Sequence, residues 1–172
     1  AIKRKRPDRY VELISELSKL GQKAGIKVRG KFASEGPEKI FCMKKAEELG
    51  ISENIDWLPF LPREVMVEEI TSADYFVLLS DSEAYGISVA EAISLGTPVI
   101  ISNNTALTEF SSNRGVILID KPDDTESIAR KIFSLRAKET RVQTTSDTNI
   151  VTWGEMGEKL SSMYAETINS KI

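Results

Sequence analysis

Short apolar runs alternate with amphipathic stretches along most of the chain. Ile26 to Phe32 (IKVRGKF), Asn54 to Leu58 (NIDWL), Asp74 to Ser80 (DYFVLLS), Pro98 to Ser102 (PVIIS) and Gly115 to Asp120 (GVILID) have strand length. Several are apolar throughout, the pattern of strands covered on both faces. Helices are predicted between and after them, over Asp8–Leu20, Glu38–Leu49, Glu64–Ser72, Ile87–Leu95, Ser127–Leu135 and Gly154–Ile168. Gly21, Gly50 and Gly96 stand where helices are expected to end in a left-handed residue. Parallel neighbours need a crossover and a helix fills it, so the alternation predicts an α/β fold: a doubly wound parallel sheet with helices on both faces. The polar stretch Ala137 to Ile150 reads as a loop before the last helix. Ala1 and Ile2 read as the tail of a strand, which suggests a fragment of a longer chain.

Composition narrows the possibilities. The 172 residues are 41% hydrophobic and 28% charged, as in one compact globular domain. No apolar run reaches the ~20 residues that span a bilayer. A single cysteine, Cys42, makes no internal disulfide, and no signal-peptide pattern opens the chain, so a cytoplasmic setting is expected. A net charge of -3 gives no drive toward nucleic acid. The chain has no histidine, which excludes within it a Ser-His-Asp triad and an imidazole-held metal.

The candidate chemistry gathers in SDSEAYGISVAEAISLGTPVI, which starts at Ser80. In open parallel sheets ligands settle at the carboxyl ends of strands. Glu83 follows one such end and Gly86 opens the next helix, where the amides of Gly86, Ile87, Ser88 and Val89 would face a phosphate. For Glu91 the spacing leaves two readings. Ser88 to Glu91 matches the S-x-x-E capping box, the commoner role, and a ligand contact is the other. The cluster Lys3, Arg4, Lys5, Arg6 and Arg9 reads either as a solvated arm or, through Arg4 and Arg9, as a clamp on a diphosphate. Glu109 is a surface charge or a loop anchor. Trp57, Phe60 and Leu61 read most simply as core or core edge, and Phe60 to Pro62 alternatively as a loop after a strand that frames a planar base. Cys42 reads as packing, and Trp153 as fixing the last helix.

The same segment resembles the E-x7-E motif of the retaining glycosyltransferases of family 4 (group 1). Ser80, Glu83, Tyr85, Gly86, Ile87, Glu91, Ala92, Gly96, Pro98 and Val99 occupy identical or similar positions. NIDWLPFLPREVMVEEITSADYFVLLSDSE and WGEMGEKLSSMY extend the likeness over nearly the whole chain. The resemblance implies a Rossmann-like half of a GT-B fold, with residues 1–172 as the nucleotide-sugar (donor) binding domain of a longer two-domain enzyme. It implies that Glu83, Gly86 and Ile87 meet the donor sugar, Ser88, Val89, Arg4 and Arg9 the diphosphate, Glu91 the ribose and Leu61 the base. No metal or other cofactor is expected. The acceptor, a glycan, lipid or small molecule, would be held by an N-terminal domain, and the isolated chain would be inactive. Peripheral membrane association of the full-length protein is left open. Asn104, Thr105 and Ala106 replace the V-G-G often found in the family, and Ala84 replaces a glycine. Two rival readings are a GT-B nucleotide-sugar epimerase and a nucleotide-binding module without chemistry.

Overall fold

The computed structural model describes residues 3–135. The predicted helix Gly154–Ile168, the loop Ala137 to Ile150 and Trp153 lie outside the described residues. Five strands and five helices alternate: α1 (Pro7–Ala24), β1 (Gly30–Ala33), α2 (Glu38–Glu48), β2 (Ile55–Leu58), α3 (Arg63–Ser72), β3 (Phe76–Leu78), α4 (Ile87–Ser94), β4 (Val99–Ser102), β5 (Val116–Ile119) and α5 (Thr125–Leu135). Short 3-10 turns cover Lys3–Lys5, Ser52–Asn54 and Thr105–Ser112. All five predicted strands and the first five predicted helices are present.

Every strand pair is parallel, but among the described residues the strands form two sheets rather than one. In the first, Phe32 of β1 pairs with Trp57 of β2. In the second, Val77 of β3, Ile100 of β4 and Ile117 of β5 lie side by side. The helix layers are continuous where the strand layer is not. On one side α1 lies between α2 and α5. It sends Val11 and Ile14 against Phe32 and Ile55 of the first sheet, and Leu13 against Leu79, Ile100 and Ile119 at the second. On the other side α3 places Ile70 against Val99 and Ile101, while its Glu69 pairs with Lys31 of β1. Thus β1 and β3 each keep one edge without a described strand partner. All residues of β4 are buried and those of β3 only half-buried, the difference between a flanked strand and an open edge.

Strand periodicity explains the layering. Val99 and Ile101 face α3 and α4, while Ile100, between them, faces α1 and α5. A third cluster stacks Tyr10, Phe32 and Trp57 as tilted rings, with centroids 6.1 and 5.0 Å apart.

Two sequence expectations are corrected here. Gly50 and Gly96 are left-handed as expected, but α1 runs through Gly21 and ends at Gly25 (φ 67°). Gly21 is needed for close approach instead, because a Cβ there would lie 2.5 Å from the Ile26 carbonyl oxygen. Phe60 is 86% exposed, so the core reading fails and the reading as part of an open loop after β2 remains. Trp57 does join the core, and Cys42 is a packing residue with no exposed surface.

Burial pushes the Cys42 thiol up to about 11, with Asp8 and Glu38 adding to the effect. At pH 8 the folded chain is therefore expected to react with a disulfide-exchange reagent at least tenfold more slowly than the denatured chain. Equal rates for folded and denatured protein would contradict the packing described.

Candidate functional site

The carboxyl ends of β3 and β4 meet the start of α4 and the Thr105–Ser112 turn at one rim. The β3–α4 loop carries Glu83, and Gly86 then caps α4 in a left-handed conformation (φ 90°). Glycine is required twice over, since a Cβ would also lie 2.7 Å from Cδ2 of the fully buried Leu107. Among the described residues no acceptor reaches the amides of Gly86, Ile87 and Ser88. These are the orphan donors of a helix N-terminus, with the helix dipole behind them. The Val89 amide is different: it donates to the Gly86 carbonyl at 2.9 Å inside a fully buried residue.

The two glutamates flank this terminus in different states. The Glu83 side chain is 7% exposed and lies 3.1 Å from Nζ of Lys5. The lysine approaches without hydrogen-bond alignment, so the buried Oε1 lacks a directed donor. Its backbone amide donates to Oγ1 of Thr105 at 3.0 Å. Glu91 is exposed on α4, with no side-chain partner among the described residues. The capping box does not form, because the cap residue is Gly86 and Ser88 lies inside the helix.

Arg9 departs most from its expected place. It is 3% exposed, and all three of its guanidinium nitrogens make contacts within the fold. Nε and Nη2 donate to the Asp123 carboxylate at 2.8 and 3.0 Å, and Nη1 donates to the Leu79 carbonyl at 2.8 Å. Asp81 lies 2.8 Å from the same Nη1. The Arg9 hydrogen bond holds the Asp123 carboxyl below the usual carboxylate range. Burial works against the Asp8 carboxylate, yet the Arg6 fork, at 2.9 to 3.2 Å, outweighs it and keeps Asp8 below that range as well. Arg9 therefore ties α1 to the end of β3 and to the turn before α5, which engages most of its donors within the fold. Lys3 and Arg4 are exposed and have no ion pair among the described residues, and the Arg4 carbonyl accepts from the Asp81 amide at 2.9 Å. The free cations thus stand beside the rim.

A family profile described as glycosyl transferases group 1 matches residues 1–148. The chain belongs to this family. Over 151 residues it is 27% identical to the GDP-mannose-dependent alpha-(1-6)-phosphatidylinositol dimannoside mannosyltransferase of Mycobacterium tuberculosis, covering 87% of this chain and 38% of that protein. The chain thus spans well under half the length of that curated relative. The fold matches the sucrose-phosphate synthase of Thermosynechococcus elongatus with a TM-score of 0.72 at 17% identity, over 98% of this chain and 44% of that one. It also matches a pneumococcal O-GlcNAc transferase solved with UDP and GlcNAc, with a TM-score of 0.66 at 18% identity, over 81% of this chain and 28% of that one.

As a group 1 glycosyltransferase domain, the chain brings Glu83, Gly86, Ile87, Ser88 and Arg4 to one rim. Leu61 is half-buried in the loop after β2, beside the exposed Phe60. Glu109 is exposed on the Thr105–Ser112 turn. Of the other two residues expected at the diphosphate, Val89 donates its amide to the Gly86 carbonyl and Arg9 directs its guanidinium to Asp123, Asp81 and the Leu79 carbonyl. Sequence reasoning missed three residues, Lys5, Asn104 and Thr105. The charge of Lys5 was visible, but its pairing with Glu83 depends on how the Lys3–Lys5 turn sits against β3. A recess of about 210 Å3 between α1 and α5, lined by Glu16, Lys19, Leu20, Lys23, Glu126 and Arg130, is elsewhere on the surface. Its charges are of both signs and include the pairs Glu16–Lys19 and Glu126–Arg130.

Replacing Arg9 with leucine should cost about 2 kcal/mol, because the Leu79 carbonyl loses its donor and the joint loosens. The exposed Asp123 adds a pH signature. Its folded value lies below the ordinary 3.8, so its contribution is present above that pH and fades as pH falls through the folded value. Urea unfolding of the parent should therefore show stability falling below about pH 4, and the Arg9→Leu chain should show a shallower fall. Parallel acid limbs in the two proteins would contradict this role.

Proposed function

We propose that residues 1–172 are the donor-binding domain of a retaining glycosyltransferase. The full-length enzyme would move a sugar from a nucleotide-diphosphate sugar to an acceptor glycan, lipid or small molecule held by another domain. The observation that carries this reading is the set of amides at Gly86, Ile87 and Ser88 with no acceptor among the described residues, beside the Glu83 carboxylate on one sheet rim. A helix N-terminus of this kind binds phosphate through fixed donors. The Mycobacterium tuberculosis relative is named as GDP-mannose-dependent, and the pneumococcal neighbour was solved with UDP, which supports a nucleoside-diphosphate donor as the ligand class.

Each group has a chemical task. As the glycosidic bond loosens, negative charge grows on the departing diphosphate. Amides of Ile87 and Ser88 and the guanidinium of Arg4 meet that charge, and fixed donors need little reorganisation to do so. Removing one preorganised donor of this type costs ~3 kcal/mol, roughly a hundredfold in rate. Glu83 orients the sugar with the Gly86 and Ile87 backbone. Glu91 accepts from two ribose hydroxyls, and the Leu61 loop frames the base. With Arg9 committed to the joint, Arg4 carries the cationic part in this chain. No described helix is long and apolar enough to cross a membrane. The unpaired Cys42 supports a cytoplasmic setting, with any membrane contact peripheral.

Titration with UDP, GDP and ADP and with their glucose and mannose conjugates tests the reading. At least one diphosphate should bind saturably. Glu91→Ala should weaken that diphosphate about tenfold, as loss of charged hydrogen bonds does. Glu83→Gln should leave the bare diphosphate unaffected and weaken only the sugar conjugate. The isolated chain should transfer nothing to any acceptor. Absence of saturable binding across the series would defeat the proposal.

A further inference from the structure

Thr105 holds a backbone conformation that its side chain disfavours. Its φ is 45°, and Arg6 is the other non-glycine residue described with positive φ. For a β-branched residue this region is strained, and strain of this kind persists where surrounding contacts over-determine it. Those contacts converge on the loop that carries Glu83. The Glu83 amide donates to Thr105 Oγ1 at 3.0 Å, and that hydroxyl donates to Asn104 Oδ1 at 3.3 Å. Asn104 Nδ2 then donates to the carbonyls of Ser80 and Asp81 at 2.9 and 3.0 Å. The ring of hydrogen bonds therefore closes from residue 83 back to residues 80 and 81.

Lys5 completes the restraint by meeting the Glu83 carboxylate from the opposite chain segment. A glycine at position 105 would relieve the strain but provide no hydroxyl. The conformation is thus kept at a cost to the backbone, and the hydroxyl is what the glycine would lack.

We infer that Thr105, backed by Asn104, is a positioning residue that sets the Glu83 carboxylate against the sugar of the donor. The inference rests on the donor-binding reading above. The Thr105 hydroxyl acts on the loop through the Glu83 amide, so its effect is expected on the sugar that Glu83 would meet. The relevant quantity is the affinity ratio between a nucleotide sugar and its own bare diphosphate. Thr105 acts on that ratio through the direction in which Glu83 leaves the loop.

The test uses the whole chain and four proteins: parent, Thr105→Gly, Thr105→Val and Thr105→Ser. Each is melted and then titrated with UDP, GDP and ADP and their glucose and mannose conjugates. Thr105→Gly should melt at or above the parent temperature, because the strain is gone. Its preference for the sugar conjugate should nevertheless fall roughly fivefold, the effect of one hydrogen bond. Thr105→Val keeps the β-branch and the strain without the hydroxyl, and should lose the preference too. Thr105→Ser should restore it. If Thr105→Gly does not fold, the valine and serine variants decide by the same ratio. A parent-like ratio in the variants without the hydroxyl would overturn the positioning role and leave the donor-binding reading standing. So would a parent that binds conjugate and diphosphate equally. A parent that binds none of the probes would overturn both.

Discussion

The rim is built around the buried guanidinium of Arg9. It stands in the first turn of α1, yet its donors reach the carbonyl at the end of β3 and the carboxylate before α5. A buried cation is tolerable only when paired, and here Asp81 and Asp123 supply the pairing from partly exposed positions. Because both acids are open to water, the joint combines a satisfied interior with a hydrated outer side. That arrangement fixes where α1 enters the fold. It also fixes where Lys5 and Arg4 lie relative to Glu83.

The consequence is a division of labour among residues of similar charge. Arg6 and Arg9 neutralise Asp8, Asp81 and Asp123, and so serve architecture. Lys5 serves the glutamate. Lys3 and Arg4 keep no ion pair among the described residues, close to three amides that have no described acceptor. A cluster that looks uniform as a string of basic letters is therefore three different things once folded. The same holds for acids: Glu83 is enclosed and restrained, whereas Glu91 is exposed on the next helix with no partner among the described residues.

Much of this was legible in the sequence because it depends on local periodicity. Apolar runs marked the strands, and Gly86 before a small-residue run marked the start of α4. Longer-range matters were not legible. Arg9 has the spacing of a phosphate-binding cation, and only tertiary proximity of Asp123, more than a hundred positions later, shows that it is engaged within the fold. The capping box at Ser88 and Glu91 failed because a left-handed glycine two residues earlier had already begun the helix. Phe60 carried a core-like residue type into an exposed loop. Gly21 looked like a helix end because glycine usually punctuates helices, but there it admits the Ile26 carbonyl.

The unmatched edges of β1 and β3 carry a further implication for handling this molecule. Each offers a row of backbone donors and acceptors, and the residues of β3, Phe76, Val77 and Leu78, are apolar. Because α1 and α3 each reach both sheets, these two margins lie between the helix layers, and that cover keeps them from templating a further strand. The chain's tendency to self-associate will follow how well those margins stay shielded, independently of the rim at the end of β3.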